Sequence, residues 1–220
     1  MSILTRRGFI GNTAVAIGSF AALQKVVGAG HPSDPGPANP ALNGQNPDSM
    51  WPPGTDSKSL VQNFKYSFSF ANKRVDEGGW SREVTVRELP VSKTLAGVNM
   101  RLTPGGCREL HWHPNADEWQ YFISGKGRMT VVATGNKART MDFQEGDVGY
   151  VQKSLLHYVE NTGDTDLVFL EIFKADRFQD LSFSEWLAHT PPEFVMAHLH
   201  IDKATFDTIP KNRVSITPLS

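Results

Sequence analysis

One stretch limits what this chain can fold into more than any other: Gly105 to Gly125, which reads GGCRELHWHPNADEWQYFISG. His111 and His113 are separated by one residue, so on a β-strand both imidazoles leave the same face while Trp112 leaves the other. The Pro-Asn-Ala-Asp segment behind them has turn chemistry, and the apolar and aromatic run Trp119 to Ile123 reads as a returning strand. That hairpin brings Glu118 back towards the histidines. His157, in the apolar-flanked segment Val148 to Val159, is the fourth candidate, with its own turn signal Asn161-Thr162-Gly163-Asp164 just behind it. An isolated histidine is more often a surface or hydrogen-bonded core residue than a ligand. The metal reading therefore rests on all four positions together, a mixed nitrogen and oxygen set for one divalent ion.

The spacing carries a resemblance. Gly105, five residues, His111-x-His113, four residues, Glu118, six residues and Gly125 resemble the first cupin motif at every fixed position. Gly146, His157 and Asn161 resemble the second. Gln152 and Ser154 stand where the family has Pro and Gly, a departure that bears on loop shape and not on the ligands.

Strand signals recur along the chain at short intervals. They cover Phe64 to Phe70, Glu83 to Leu89 around Val84 and Val86, Leu95 to Leu102, the His111 stretch, Trp119 to Ile123, Met129 to Ala133, Ala138 to Phe143, Val148 to Val151, His157 to Glu160 and Leu167 to Phe173. Many short strands divided by Gly-rich turns indicate an all-β sandwich or barrel. With the cupin motifs in place, the expected fold is the double-stranded β-helix, or jelly-roll barrel, over residues 63–180, with a short helical C-terminal extension over 181–220. Within that extension, Leu181 to Leu199 is interrupted at Pro191-Pro192, which predicts two short helices, the second starting just after the prolines. His198 and His200 form a second HxH, but on a helix such residues point to opposite sides, so they are not a ligand pair.

At 220 residues the chain fills one core with extensions, and a second full domain is not expected. Its 22 basic and 23 acidic residues give a formal charge of −1, which offers no nucleic-acid or polybasic membrane surface. The start is a separate matter. Thr5-Arg6-Arg7-Gly8-Phe9-Ile10 resembles the twin-arginine export motif, and a small-residue apolar stretch runs to Leu23 before a cleavage-type site at Val27-Gly28-Ala29. Residues 1–29 are thus expected to be a twin-arginine signal peptide, and the protein to be periplasmic or secreted. Residues 30–62 read as a Pro/Gly-rich arm, which Met50-Trp51-Pro52-Pro53 anchors on a domain or a neighbouring subunit. The single cysteine, Cys107, cannot form an internal disulfide and reads as a small packing residue.

Two charged residues accompany the histidines. Arg108 lies where the chain enters the metal-bearing strand, and its planar fork can hold a carboxylate by two hydrogen bonds. Glu171 interrupts the otherwise apolar Leu167 to Phe173. A carboxylate there is costly unless it is functional or held in a structural salt bridge.

The segments RELHWHPNADEWQYFISGKGRMTV, GDVGYVQ and HYVENTGDTDLVFLEIF resemble the Mn-dependent oxalate decarboxylases, above all the second of their two cupin domains. The stretch NPDSMWPPGTDSKSLVQNFKYSFSFANKRVDEGGWSREVTVRELP resembles the lead-in to the first domain of the same enzymes, so the likeness spans about residues 46–205. The resemblance implies Mn²⁺, with Fe²⁺ as the lesser choice, held by His111, His113, Glu118 and His157. It implies Arg108 binding oxalate, Glu171 transferring a proton, dioxygen as co-substrate or co-catalyst, and products formate and CO₂. In the family a mobile lid carries a glutamate that manages the proton; the matching stretch here is Ala175 to Asp180, with arginine at the aligned place. Asp176 and Asp180 are the candidate substitutes. Two rivals follow: an oxalate oxidase like the germin-type cupins, giving CO₂ and hydrogen peroxide, and a non-catalytic metal-binding protein of the cell envelope. Two-cupin relatives pack their domains back to back, so pairing of chains into a homo-oligomer, a dimer or trimer of dimers, is expected.

Overall fold

In the strand that follows the HxH pair, β5 (Glu118–Ser124), Glu118, Gln120 and Phe122 are buried while Trp119, Tyr121 and Ile123 are exposed. This period of two is what a half-buried strand requires. The computed structural model describes residues 64–219. The signal expected over 1–29 and the arm expected over 30–62, with Met50-Trp51-Pro52-Pro53, lie outside the described residues.

Two antiparallel sheets hold the site. The first has the order β1 (Lys73–Asp76), β2 (Gly79–Val84), β3 (Ala96–Leu102), β10 (Leu167–Phe173), β5, β8 (Val148–Val151). The second runs β11 (Leu181–Ser182), β4 (Gly106–Trp112), β9 (Leu156–Asn161), β6 (Lys126–Ala133), β7 (Lys137–Gln144), and β12 (Ile216–Pro218) also pairs with β4. This is the double-stranded β-helix expected from the motifs. The inward residues of both sheets, among them Met100, Leu102, Met129, Val159 and Leu167, form one apolar core. At its centre Phe122 stacks on Phe143 at 4.5 Å and on Phe169 at 5.4 Å between ring centroids. Phe122→Ala is expected to cost about 3–5 kcal/mol, since both stacking partners would line a cavity they cannot fill. Denaturant unfolding of the two proteins checks this, and a loss below about 1 kcal/mol would show that the ring is not central.

Two strand expectations fail, each because a hydroxyl diverts the backbone. Phe64 to Phe70 is not a strand: Ser67 accepts from the Ser69 N–H at 3.4 Å and starts a 3-10 turn over Phe68–Phe70, whose Phe68 ring lies over Gly97. The strand expected over Glu83 to Leu89 stops at Val84. Beyond it Thr85 and Glu88 form one half of a capping box: Glu88 Oε2 accepts from both the Thr85 N–H and hydroxyl at 2.9 Å, the Thr85 hydroxyl accepts from the Arg87 N–H at 3.2 Å, and the Leu89 N–H returns to Thr85 O. The hairpin β1–β2 takes the place next to β3.

After β10 the chain forms α1 (Phe183–Ala188), α2 (Pro192–Leu199) and α3 (Lys203–Asp207). Pro192 stands at the first position of α2, where its missing N–H costs nothing. His198 is in α2 and exposed His200 caps it in a left-handed conformation (φ 55°). The last strand, β12, returns to the edge of β4 that β11 also uses, so the C-terminal segment closes against the metal-bearing strand.

Candidate metal centre

β4 and β9 set the histidines. His111 on β4 pairs directly with His157 on β9, and His113 follows just beyond β4. Between Arg108 and His111 the register slips: Arg108 faces Val159 and His111 faces His157, so two residues of β4, Glu109 and Leu110, oppose Tyr158 alone. Strict alternation would send Arg108 and His111 to opposite faces. The bulge puts both inside, at 1 % exposure each, and leaves Leu110 exposed.

Each ring is oriented by its outer nitrogen. Nδ1 of His111 donates to Glu109 O (2.6 Å), Nδ1 of His113 to Gln179 O (2.8 Å) and Nδ1 of His157 to Leu155 O (3.0 Å). A carbonyl only accepts, so Nδ1 of each ring carries a proton and Nε2 is the atom that faces inward. His111 is held neutral, its pKa lowered well below 6.5 by burial first and then by Arg108 and the other two imidazoles. The four ligand atoms of His111, His113, Glu118 and His157 lie within 4.8 Å of one another, all buried. Glu118 Oε2 is 2.9 Å from His157 Nε2 and 3.1 Å from His113 Nε2, while His111 Nε2 and His113 Nε2 have no hydrogen-bond partner. Buried acceptors converging on a carboxylate call for a cation between them, and a divalent metal fits.

Glu118 is itself held in place. Gln120 Nε2 donates to Glu118 Oε1 at 2.6 Å, which turns Oε2 to the histidines. Burial pushes the Glu118 carboxyl up, but His157 and His113 more than offset this and hold it well below its ordinary range. The loop that carries the second motif keeps its shape without the family's glycine: Ser154 adopts φ 67°, and its N–H donates to His113 O at 3.0 Å.

Glu171 sits on β10 beside Gln120. It is 2 % exposed and its Oε2 has no hydrogen-bond partner. Burial, and then the neighbouring Glu118 carboxylate, raise it well above the usual carboxylate range, against the pull of Arg108. Rings of Phe173 and Phe178 lie 4.7 and 5.6 Å from His113 and shield that side from water. Cys107 is buried in β4, and its thiol is pushed up to about 11, chiefly by burial, as suits a packing residue.

Neither lid aspartate is placed to handle a proton. Asp176 is half exposed, 3.8 Å from Arg177. Asp180 is gripped by Arg108 and by Arg213, a residue that the sequence reading did not single out. Burial raises the Asp180 carboxyl, yet the two guanidiniums bring it down from 3.8 to about 2. A depressed carboxyl stabilises the fold above its unfolded pKa and loses that contribution as pH falls through the folded one. Asp180 should therefore contribute about 2 kcal/mol that disappears between roughly pH 4 and 2. Comparing acid unfolding of the wild type and Asp180→Asn checks this; parallel curves over that window would contradict it.

Comparisons with known proteins agree with this geometry. The cupin family model matches residues 68–207. The chain is 52% identical over 137 residues to oxalate decarboxylase OxdC of Bacillus subtilis, covering 62% of this chain and 36% of that protein. It is 44% identical over 160 residues to a probable oxalate decarboxylase of Arthroderma benhamiae, covering 70% of this chain and 40% of the relative. Among solved structures, one of Bacillus subtilis oxalate decarboxylase used to assign its Mn(II) centres superposes with a TM-score of 0.71 at 44% identity, over 76% of this chain and 44% of the other. The chain thus spans less than half the length of each of these three relatives. By its motifs, its two-sheet barrel and these similarities, the chain belongs to the cupin family, as a relative of the oxalate decarboxylases.

Proposed function

We propose that this protein is a Mn²⁺-dependent, oxalate decarboxylase-like enzyme that cleaves oxalate to formate and CO₂. The observation that carries the reading is the juxtaposition of a buried Glu171 and a buried Arg108 with the four-ligand cluster. A simple storage site needs the ligands but neither of these. His111, His113, Glu118 and His157 would hold the ion, which when bound supplies Lewis acidity and one-electron chemistry. The guanidinium of Arg108 holds a substrate carboxylate and offsets its charge. Glu171 exchanges a proton with the reacting carboxylate, and the Phe173 and Phe178 rings keep water from the cleaved carbon. Hydrogen oxalate then gives one CO₂ and one formate, with no net oxidation.

A second reading, oxalate oxidation to CO₂ and peroxide with dioxygen consumed, is favoured by one observation: Asp180 is committed to two guanidiniums and Asp176 is exposed, so no carboxylic acid stands ready on that segment. Oxalate supplied with oxygen at mildly acidic pH, with formate, CO₂ and peroxide measured together, separates the two. Formate without peroxide supports decarboxylation, peroxide without formate supports oxidation, and neither product from Mn-loaded protein overturns both. Metal analysis of protein from its native compartment tests Mn²⁺ against Fe²⁺. Arg108→Lys is expected to keep the metal but raise KM for oxalate at least about tenfold, since an ammonium cannot reproduce the fork. Unchanged oxalate kinetics would remove Arg108 from the substrate site.

The same proposal includes export through the twin-arginine signal of residues 1–29 and a homo-oligomer. Support for the latter is the apolar outer face of β5 and β8, where Trp119, Tyr121, Ile123, Val148 and Tyr150 are exposed together. Light scattering that finds a monomer would contradict it.

A further inference from the structure

Arg108 is assigned above to a substrate carboxylate, yet its fork already holds a carboxylate of the protein. Its Nη2 donates to Asp180 Oδ2, and its Nη1 donates to Glu109 Oε1 at 3.1 Å and to Ser215 O at 3.2 Å. Arg213 grips the same Asp180, from Nη1 to Oδ1 at 2.9 Å and from Nη2 to Oδ2, and its Nε donates to Glu109 Oε1 at 3.0 Å. Two guanidiniums thus face two carboxylates, and the cluster is neutral. A further carboxylate on Arg108 would leave a buried negative charge in excess unless a resident anion gives way.

The residents differ in freedom. Glu109 is part of β4 and also accepts from the Ser182 hydroxyl. Asp180 lies in the irregular stretch between β10 and β11, which is held by three backbone carbonyls that accept hydrogen bonds, Asp176 O from the Val86 N–H at 2.9 Å, Arg177 O from Asn115 Nδ2 at 2.9 Å and Gln179 O from His113 Nδ1 at 2.8 Å, so its freedom is that of its side chain. Rotation of the Asp180 side chain would free Nη2 of Arg108, while Nη1 stays on Glu109 and Ser215. The partners differ too: Arg108 is 1 % exposed and Arg213 is 22 % exposed, so Asp180 would move with Arg213 towards water, not deeper into the barrel.

We infer that Asp180 is an internal placeholder for the substrate's carboxylate, handed from Arg108 to Arg213 as a small carboxylate or dicarboxylate enters, and that Arg213 is the positioning residue that permits the exchange. The oxalate reading supplies only the identity of the ligand. If the cluster merely kept Arg108 in place, removing the Asp180 charge would loosen the fork and weaken anion binding. If Asp180 competes for the fork, removing its charge strengthens binding. The two cases have opposite signs.

Calorimetric titration of the Mn²⁺-loaded full chain with oxalate, and separately with acetate, reads that sign. Asp180→Asn and Asp180→Ser are expected to bind about tenfold tighter than wild type, the worth of one charge-assisted hydrogen bond no longer contested. Arg213→Gln, which leaves Asp180 to Arg108 alone, is expected to bind about tenfold weaker. Thermal melts confirm that each variant is folded. Oxalate binding to wild type with unchanged or weaker binding to both Asp180 variants overturns the exchange and leaves the oxalate reading standing. Tighter acetate binding by the Asp180 variants, with no oxalate binding by any form, upholds the exchange and overturns the oxalate reading. No binding of either anion to folded Asp180→Asn overturns both.

Discussion

Replacing His113 or Glu118 by Ala is expected to abolish Mn²⁺ binding and turnover while the barrel still unfolds cooperatively. Each change removes one of four buried donors that lie within 4.8 Å of one another, and a site of this kind has no spare ligand. Glu118→Ala removes the anion that draws the cation to the three imidazoles. It also removes the carboxylate that faces His157 Nε2 at 2.9 Å, His113 Nε2 at 3.1 Å and Gln120 Nε2 at 2.6 Å, a local polar set beside the apolar core and not part of it. His113→Ala leaves a gap beside Phe173 and Phe178, at the edge of the core and not at its Phe122 centre. Metal content of the purified variants, with circular dichroism through a thermal melt, checks both halves of the expectation. Full metal occupancy in either variant would refute the ligand set, and loss of the cooperative melt would show that these residues are structural.

The ligands were legible because two rules of strand geometry sufficed: alternation for His111 and His113, and a hairpin for Glu118. His157 needed only the pairing of β4 with β9. Arg108 was chosen for its chemistry, but its inward aim depends on the bulge at Glu109 and Leu110, and no alternation pattern announces a bulge. Arg213 was not legible at all. It meets Glu109 across 104 positions of sequence because β12 folds back on β4, and three strand-forming residues at a chain end give almost no periodic signal. The failures at Phe64 to Phe70 and Glu83 to Leu89 had a visible cause. Thr85-x-x-Glu88 is a helix-start signature, and it overrode the apolar alternation of Val84 and Val86. At Ser154 the departure from the family's glycine raised a question of loop shape, and the structure answers it with a left-handed serine anchored on His113.

Glu171→Gln is expected to lower formate production by about a hundredfold to ten-thousandfold while leaving metal content unchanged, the range general acid–base catalysis supplies. The substitution is close to isosteric, so the packing of this buried side chain beside Gln120 should change little. What disappears is the exchangeable proton. An amide N–H still donates a hydrogen bond, but it cannot deliver its hydrogen to carbon or oxygen and recover it in the next turnover. Binding should therefore survive: KM for oxalate is expected to stay within about threefold while kcat falls, the pattern of a group that acts in the transition state. The product ratio adds a second readout. If Glu171 is the proton source, the little oxalate still consumed should yield proportionally less formate and more CO₂ with peroxide. Wild-type kcat in the Gln variant would exclude Glu171 from proton transfer, and loss of metal together with activity would reassign it to holding Glu118 in place.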